Sequence, residues 1–325
     1  VSGNVSYVEY NKVTKPERAY KVLTVIIQMA GLIVCGIVWR MVKPAGLDHA
    51  QTRKVLTTLV YNLLLPALVL SVLWKAELGA NSFYIALAAA AGVLAGLLLA
   101  YVSCRFCKSQ SAAAGAIILA VAFPNSTYLG LPVLEATFGS WARGVAIQYD
   151  LFACTPLLFT VGILLAAHFG SAQQRINIFR ELIQIPPLWA AVAALILNGF
   201  NVPMPDVLGG LLTLLERGVV PLMLFSLGLS LSWRRESMSY LRPLLPVVAL
   251  RLFIIPALVL VVVDLLGMEG ELRSAVVLET AMPSMVIGIV ICDRFNLDVG
   301  MYATAVTVTT VVSMLSLPMW YQWLV

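Results

Sequence analysis

Two stretches decide how this chain folds: FPNSTYLGLPVLEATFG, residues 123–139, and MPSMVIGIVICDRFN, residues 282–296. Each interrupts an otherwise apolar run. A proline inside a helix removes one backbone hydrogen bond, and its ring collides with the preceding turn. In hydrocarbon, the freed groups must find partners in protein or line a watery cavity. After Pro124 comes the polar run Asn125-Ser126-Thr127, whose side chains suit the start of a new half-helix because they can accept from its free N–H groups, then Gly130 and Pro132. The second stretch repeats the device with Pro283, Ser284, Met285 and Gly288. Each break leaves a half-helix N-terminus, with its partial positive charge, near the bilayer midplane. Two such ends at a repeat interface make a site for an anion, a carboxylate being the natural guest. A single kink would read as packing; two at matching positions, each followed by a capping residue, favour a site. The candidate binding residues are Pro124, Asn125, Ser126, Thr127, Gly130, Pro283, Ser284, Met285 and Gly288.

Outward from these stretches the chain is membranous throughout. Its 325 residues are 61% hydrophobic and 11% charged, with a mean hydropathy of +0.93, whereas soluble domains carry about 25% charge. Ten apolar segments read as 22–39, 54–74, 82–103, 112–137, 144–167, 185–201, 206–231, 241–265, 273–293 and 299–324. The longest internal polar stretch, 168–181, divides five from five. An odd number per half makes two like-folded halves insert with opposite orientation. The halves match at an offset of 155–159 residues: Pro66 with Pro221, Pro124 with Pro283, Gly144 with Gly300. No polar run follows Pro66 or Pro221, which read as kinks only. The expected fold is an all-α membrane protein of ten transmembrane helices, arranged as two inverted five-helix repeats with crossed, broken helices 4 and 9. The expected divisions are a tail over 1–20, a first repeat over 21–170 and a second over 171–325.

Loops 1–2, 3–4, 5–6, 7–8 and 9–10 hold twelve Lys/Arg (Arg40, Lys43, Arg53, Lys54, Arg105, Lys108, Arg175, Arg180, Arg234, Arg235, Arg242, Arg294) against Lys75, Arg143 and Arg273 opposite. This places both termini on the non-cytoplasmic side, although Lys12, Lys15, Arg18 and Lys21 dissent. Asn4-Val5-Ser6 is then an outer glycosylation sequon. The first residue, Val1, implies a trimmed sequence, and no signal-peptide cleavage site follows the first apolar run. The net charge of +5 is spread over loops without a basic stripe, which argues against nucleic acid as a partner. Cys35, Cys154 and Cys292 read as buried filler, and Cys104-x-x-Cys107 lacks a second pair for zinc. His49 and His168 read as loop residues with no chemistry. No metal and no cofactor are expected.

Ionisable residues inside spans are functional candidates by default. Glu279 lies one turn before Pro283, and Arg251 in segment eight is its expected ion-pair partner, in a structural or a coupling role. Asp150 is the candidate proton carrier, with Gln148 two residues away on another face. Glu216 and Arg217 read as snorkelling to the surface, and Asp264, Asp293 and Arg294 as wet helix ends. No carboxylate–hydroxyl cluster is legible as a sodium site, so proton coupling or potential-driven transport is preferred. An intramembrane enzyme is disfavoured: no H-E-x-x-H or G-x-S-x-G occurs, and Asp150 and Asp264 lack a flanking dyad motif.

FPNSTYLGLPVLEATFG resembles the crossover of the auxin efflux carrier family, including plant PIN proteins, whose pattern is roughly P-N-(S/T)-x-x-x-G-x-P. MPSMVIGIVICDRFNLDVGMYATAVTVTTVVSMLSLPMW is similar to that family's ninth and tenth helices, RLFIIPALVL around Arg251 to its eighth, and VYNLLLPALV, with Asn62, to its second; the likeness runs from about residue 20 to 325. The resemblance implies a scaffold of helices 1, 2, 6 and 7, a transport domain of helices 3–5 and 8–10, and a homodimer through the scaffold. It also implies export or exchange of small organic anions by elevator-like sliding, across a cell membrane (the inner one in a bacterium). Pro124, Asn125 and Pro283 match the crossover prolines and the carboxylate-contacting Asn, and Asn62 is a supporting candidate. Ser284 stands where PIN proteins carry Gln, and their long cytosolic loop is absent; both weigh against auxin itself. The alternatives are a sodium-coupled bile-acid-type symporter of related architecture and a non-transporting anion sensor.

Overall fold

The computed structural model describes residues 15–76, 79–106, 111–170, 180, 183–231 and 237–325, and among them the chain is helical without a β-strand. Asn4, Lys12, Cys107, Lys108, Arg175, Arg234, Arg235 and most of 168–181 lie outside the described residues. In chain order, α1 is Lys15–Val42, α2 His49–Trp74, α3 Ala80–Phe106, α4 Ser111–Ala122, α5 Leu131–Phe138, α6 Ala142–Phe169 and α7 Pro186–Gly199. Then come α8 (Asp206–Ser230), α9 (Ser237–Ala249 continuing into Ile255–Leu265), α10 (Gly270–Thr280), α11 (Gly288–Arg294) and α12 (Val299–Leu324). Six of these, α2, α3, α6, α8, α9 and α12, are long and apolar enough to cross a membrane. α1 takes in residues 15–20 of the expected tail, because Lys, Glu and Arg are good helix formers and carry the helix past its apolar run. His49 and His168 are also helical, at the first turn of α2 and the last of α6. Asp48 caps α2 by accepting from the Ala50 and Gln51 N–H groups at 3.1 and 3.3 Å. The Gln51 bond leads in holding its carboxyl below the ordinary pKa.

Prolines shape the helices in a repeated way. Of five widened π turns among the described residues, four, at Val60–Leu64, Ser126–Gly130, Asp150–Cys154 and Leu250–Ile254, end two residues before a proline (Pro66, Pro132, Pro156 and Pro256), and the fifth, Leu158–Gly162, does not. The proline lacks the N–H that would bond four residues back, and its ring pushes the neighbouring carbonyl aside, so the preceding turn opens to the wider spacing. These four turns carry Tyr61, Ser126, Thr127, Asp150 and Arg251. The local backbone irregularity thus falls where the chain places its polar groups.

Helices α1, α2, α7 and α8 pack on one another. The Trp74 indole N–H donates to the Val202 carbonyl at 2.8 Å, and the Asn198 amide donates to the Trp74 and Ala76 carbonyls, both at 2.8 Å. Arg40 donates to the Leu231 carbonyl at the end of α8. Helices α1 and α8 touch through backbone: a Cβ on Gly36 would strike the Phe225 carbonyl oxygen and lie 2.9 Å from the Gly228 Cα. Small residues permit such approach where hydrophobic burial drives little association. Gly36→Val is therefore expected to destabilise the protein by about 1–3 kcal/mol, lowering the midpoint of thermal unfolding in detergent. Gly31→Val, on the same helix with nothing within 4 Å of its Cβ position, is the control and should change little.

Candidate functional site

Segments four and nine are each broken, and the breaks meet. The extended residues after α4 and α10 run antiparallel, with Pro124 opposite Ser284. The Asn125 N–H donates to the Pro283 carbonyl at 2.8 Å, and the Met285 N–H to the Phe123 carbonyl at 3.0 Å. Neither proline can donate, so the bonds fall on the residues beside them. Pro124 and Pro283 are buried within this crossing. Ser284 is used up by it: its hydroxyl donates to the Ala120 carbonyl at 2.7 Å, and its N–H to the Thr309 hydroxyl at 3.1 Å. The Tyr302 hydroxyl donates to the Met285 carbonyl at 2.8 Å and occupies the space that a Cβ on Gly288 would need.

The expected Arg251–Glu279 ion pair is not formed. Arg251, 1% exposed, donates from one guanidinium nitrogen to the Val121 and Ala122 carbonyls at 2.9 and 3.2 Å, and from the other to the Thr280 carbonyl. These are the last carbonyls of α4 and α10, where helix dipoles gather partial negative charge. One planar cation thus joins the C-terminal ends of both broken helices, a fork geometry that only arginine offers. The Glu279 carboxyl instead packs where a Cβ on Gly130 would sit. Sequence proximity suggested the ion pair; the breaks instead bring three helix-end carbonyls within reach of the arginine, and these use both of its terminal nitrogens.

Asn125 does not cap with its side chain. Its backbone carbonyl instead accepts from the Leu129 and Gly130 N–H groups at 3.2 and 3.0 Å. Its amide nitrogen, on a residue 1% exposed, has no partner. Beside it opens a narrow cleft of ≈ 50 Å³, lined among others by Tyr61, Asn125, Thr127, Tyr128, Asp150, Thr155, Met285 and Ile287. Asp150 accepts from the hydroxyls of Thr127 and of Thr155, the latter at 3.1 Å. This carboxylate–hydroxyl group was not legible from the spacing; Thr155 precedes Pro156, whose π turn brings it back onto Asp150. No group of three His, Cys, Asp or Glu side chains able to hold a metal occurs among the described residues.

Other candidates stand apart from the cleft. Ser126 and Gln148 are buried and do not line it. Asn62 is exposed and donates to the Thr58 carbonyl of its own helix at 2.9 Å. Glu216 does not snorkel: it lies in the middle of α8 and pairs with Arg143 through two contacts of 3.2 Å, with Glu135 at 3.8 Å from Arg143. Segment seven begins at 206, so residue 216 is too deep to reach its end. Asp264 is exposed and bound to Arg273, so it forms no dyad with Asp150; Asp293 and Arg294 are exposed at a helix end. Tyr61 and Thr155, absent from the sequence reading, were signalled only by the prolines that follow them.

A family profile described as "Membrane transport protein" matches residues 22–321. An uncharacterized transporter of Methanothermobacter thermautotrophicus is 32% identical over 299 residues, covering 91% of this chain and 96% of that relative. An uncharacterized transporter of Methanocaldococcus jannaschii is 28% identical over 235 residues, covering 70% and 73%. The uncharacterized transporter YfdV of Escherichia coli is 23% identical over 221 residues, covering 66% and 70%.

Proposed function

The chain belongs to the membrane transport protein family, the auxin efflux carriers, and we propose that this multi-pass membrane transporter carries a small organic anion, a carboxylate, bound at the crossing of its broken helices. One observation carries the reading: the Asn125 amide, buried and without a partner, lines the cleft where a half-helix begins. A buried donor left unsatisfied costs about 1–3 kcal/mol, which a carboxylate oxygen would recover. The N–H groups opening the Ser126–Gly130 turn favour the same negative guest. In this reading ten spans form two inverted repeats. Helices α1, α2, α7 and α8 are the scaffold, dimerising with a second copy, and the remainder slides past them.

Asp150 lies in the same cleft and repels a second negative charge. Anion binding therefore brings a proton with it, and the carboxylate moves as a proton-coupled guest. Asp150→Asn should transport without responding to an imposed pH gradient, whereas flux through the unaltered protein should respond; equal responses would contradict the coupling.

The test of the function is flux of radiolabelled acetate, lactate, malonate and malate into proteoliposomes. Saturable flux of at least one is expected. Binding without flux would make the protein a sensor, and neither would end the carboxylate reading. The Asp150–Thr127–Thr155 group favours one rival, a sodium-coupled symporter, since a carboxylate and two hydroxyl oxygens suit a hard cation. Sodium-dependent thermal stabilisation by the anion would promote it.

A further inference from the structure

A second, larger cleft of ≈ 390 Å³ is lined among others by Gln28, Leu131, Glu135, Arg143, Glu216 and Arg217. Arg217 sits at the turn where α8 is interrupted, after Asp206–Glu216 and before Val219–Ser230, and so in mid-span. A cation there costs several kcal/mol unless it is paired or faces water. Pairing is absent: the adjacent Glu216 is engaged by Arg143 through both of its oxygens, and Arg217, exposed, forms no ion pair among the described residues.

The two clefts are closely related. Leu131, on the wall of the larger one, is one helical turn from Thr127, on the wall of the Asn125 cleft. At the repeat offset of 155, Tyr61 and Leu65 of the smaller cleft correspond to Glu216 and Val220 of the larger. Corresponding positions of the two halves thus line the two clefts.

We propose that the larger cleft is a second anion station, in which Arg217 receives the carboxylate that Asn125 binds in the smaller one. The inference rests on the carboxylate reading. Arg143 faces both carboxylates of this cleft, Glu216 at 3.2 Å and Glu135 at 3.8 Å, which leaves the Arg217 guanidinium for the guest, and the half-helix starting at Ser126 separates the two stations. An anion drawn by Arg217 is concentrated at the crossing before the domains slide.

The test measures uptake of the same four carboxylates into proteoliposomes by unaltered protein and by Arg217→Gln, Arg217→Lys and Asn125→Ala. Both membrane orientations are separated by a side-selective inhibitory label on one terminus. Losing one charge-assisted contact should raise KM about tenfold from one side only, with kcat nearly unchanged. Arg217→Lys should restore most of the affinity, and Asn125→Ala should lose flux from both sides. Unchanged KM from both sides in Arg217→Gln, with flux lost in Asn125→Ala, overturns this station alone. A loss of kcat from both sides that lysine does not rescue also overturns it, marking Arg217 as structural. No flux of any of the four through unaltered protein overturns the carboxylate reading and this station together.

Discussion

Replacing Asn125 by alanine is expected to weaken carboxylate binding by about a hundredfold while the protein remains folded and extractable. The amide nitrogen makes no bond within the protein, so its removal breaks nothing that holds the crossing together. The backbone of residue 125, which bonds to Pro283, Leu129 and Gly130, is retained in the variant. A charge-assisted bond to a buried donor contributes about 1.5–3 kcal/mol, or roughly ten- to more than a hundredfold in affinity. Calorimetric titration of the detergent-solubilised protein with the transported carboxylate measures the loss. Equal affinities would remove Asn125 from the site. Asn125→Asp, of nearly the same shape, should be worse still, because it sets a carboxylate where the anion rests.

Arg251→Met should produce the largest loss of stability, about 3 kcal/mol or more. Three carbonyls at the ends of α4 and α10 would lose their donor in a region without water, each at about 1–3 kcal/mol. Arg251→Lys should fall between, since one ammonium restores the charge but cannot span both helix ends as the planar fork does. Thermal unfolding in detergent gives the order: unaltered highest, lysine next, methionine lowest. Equal midpoints for unaltered protein and Arg251→Lys would show that the bridging geometry contributes nothing. That comparison remains decisive where the methionine variant fails to accumulate.

Much of this arrangement was legible in the residues. Pro124 and Pro283 announced two breaks because proline acts locally, on its own turn, and needs no neighbour to be known. Asn125 stood out for the same reason: a polar run after a mid-span proline is costly without a purpose. Partners were another matter. Arg251 and Glu279 are close in sequence order of helices, yet the arginine takes helix-end carbonyls, which carry no letter in the sequence. Side-chain capping by Asn125 failed because the π turn before Pro132 lets its own carbonyl serve two N–H groups instead. Glu216 looked like a surface residue until its place midway along α8 and the position of Arg143 were known. The convergence of Thr127 and Thr155 on Asp150 depends on how two irregular turns pack, and periodicity averages such turns away.

A structure of the protein with a brominated malonate, located by its anomalous scattering, would place the anion itself. The expected result is a bromine peak in the cleft beside Asn125, with a carboxylate oxygen at hydrogen-bond distance from the Asn125 amide nitrogen, lost in the Asn125→Ala variant. A peak that is absent from that cleft, or that persists unchanged in the variant, would contradict an anion held by the crossed half-helices.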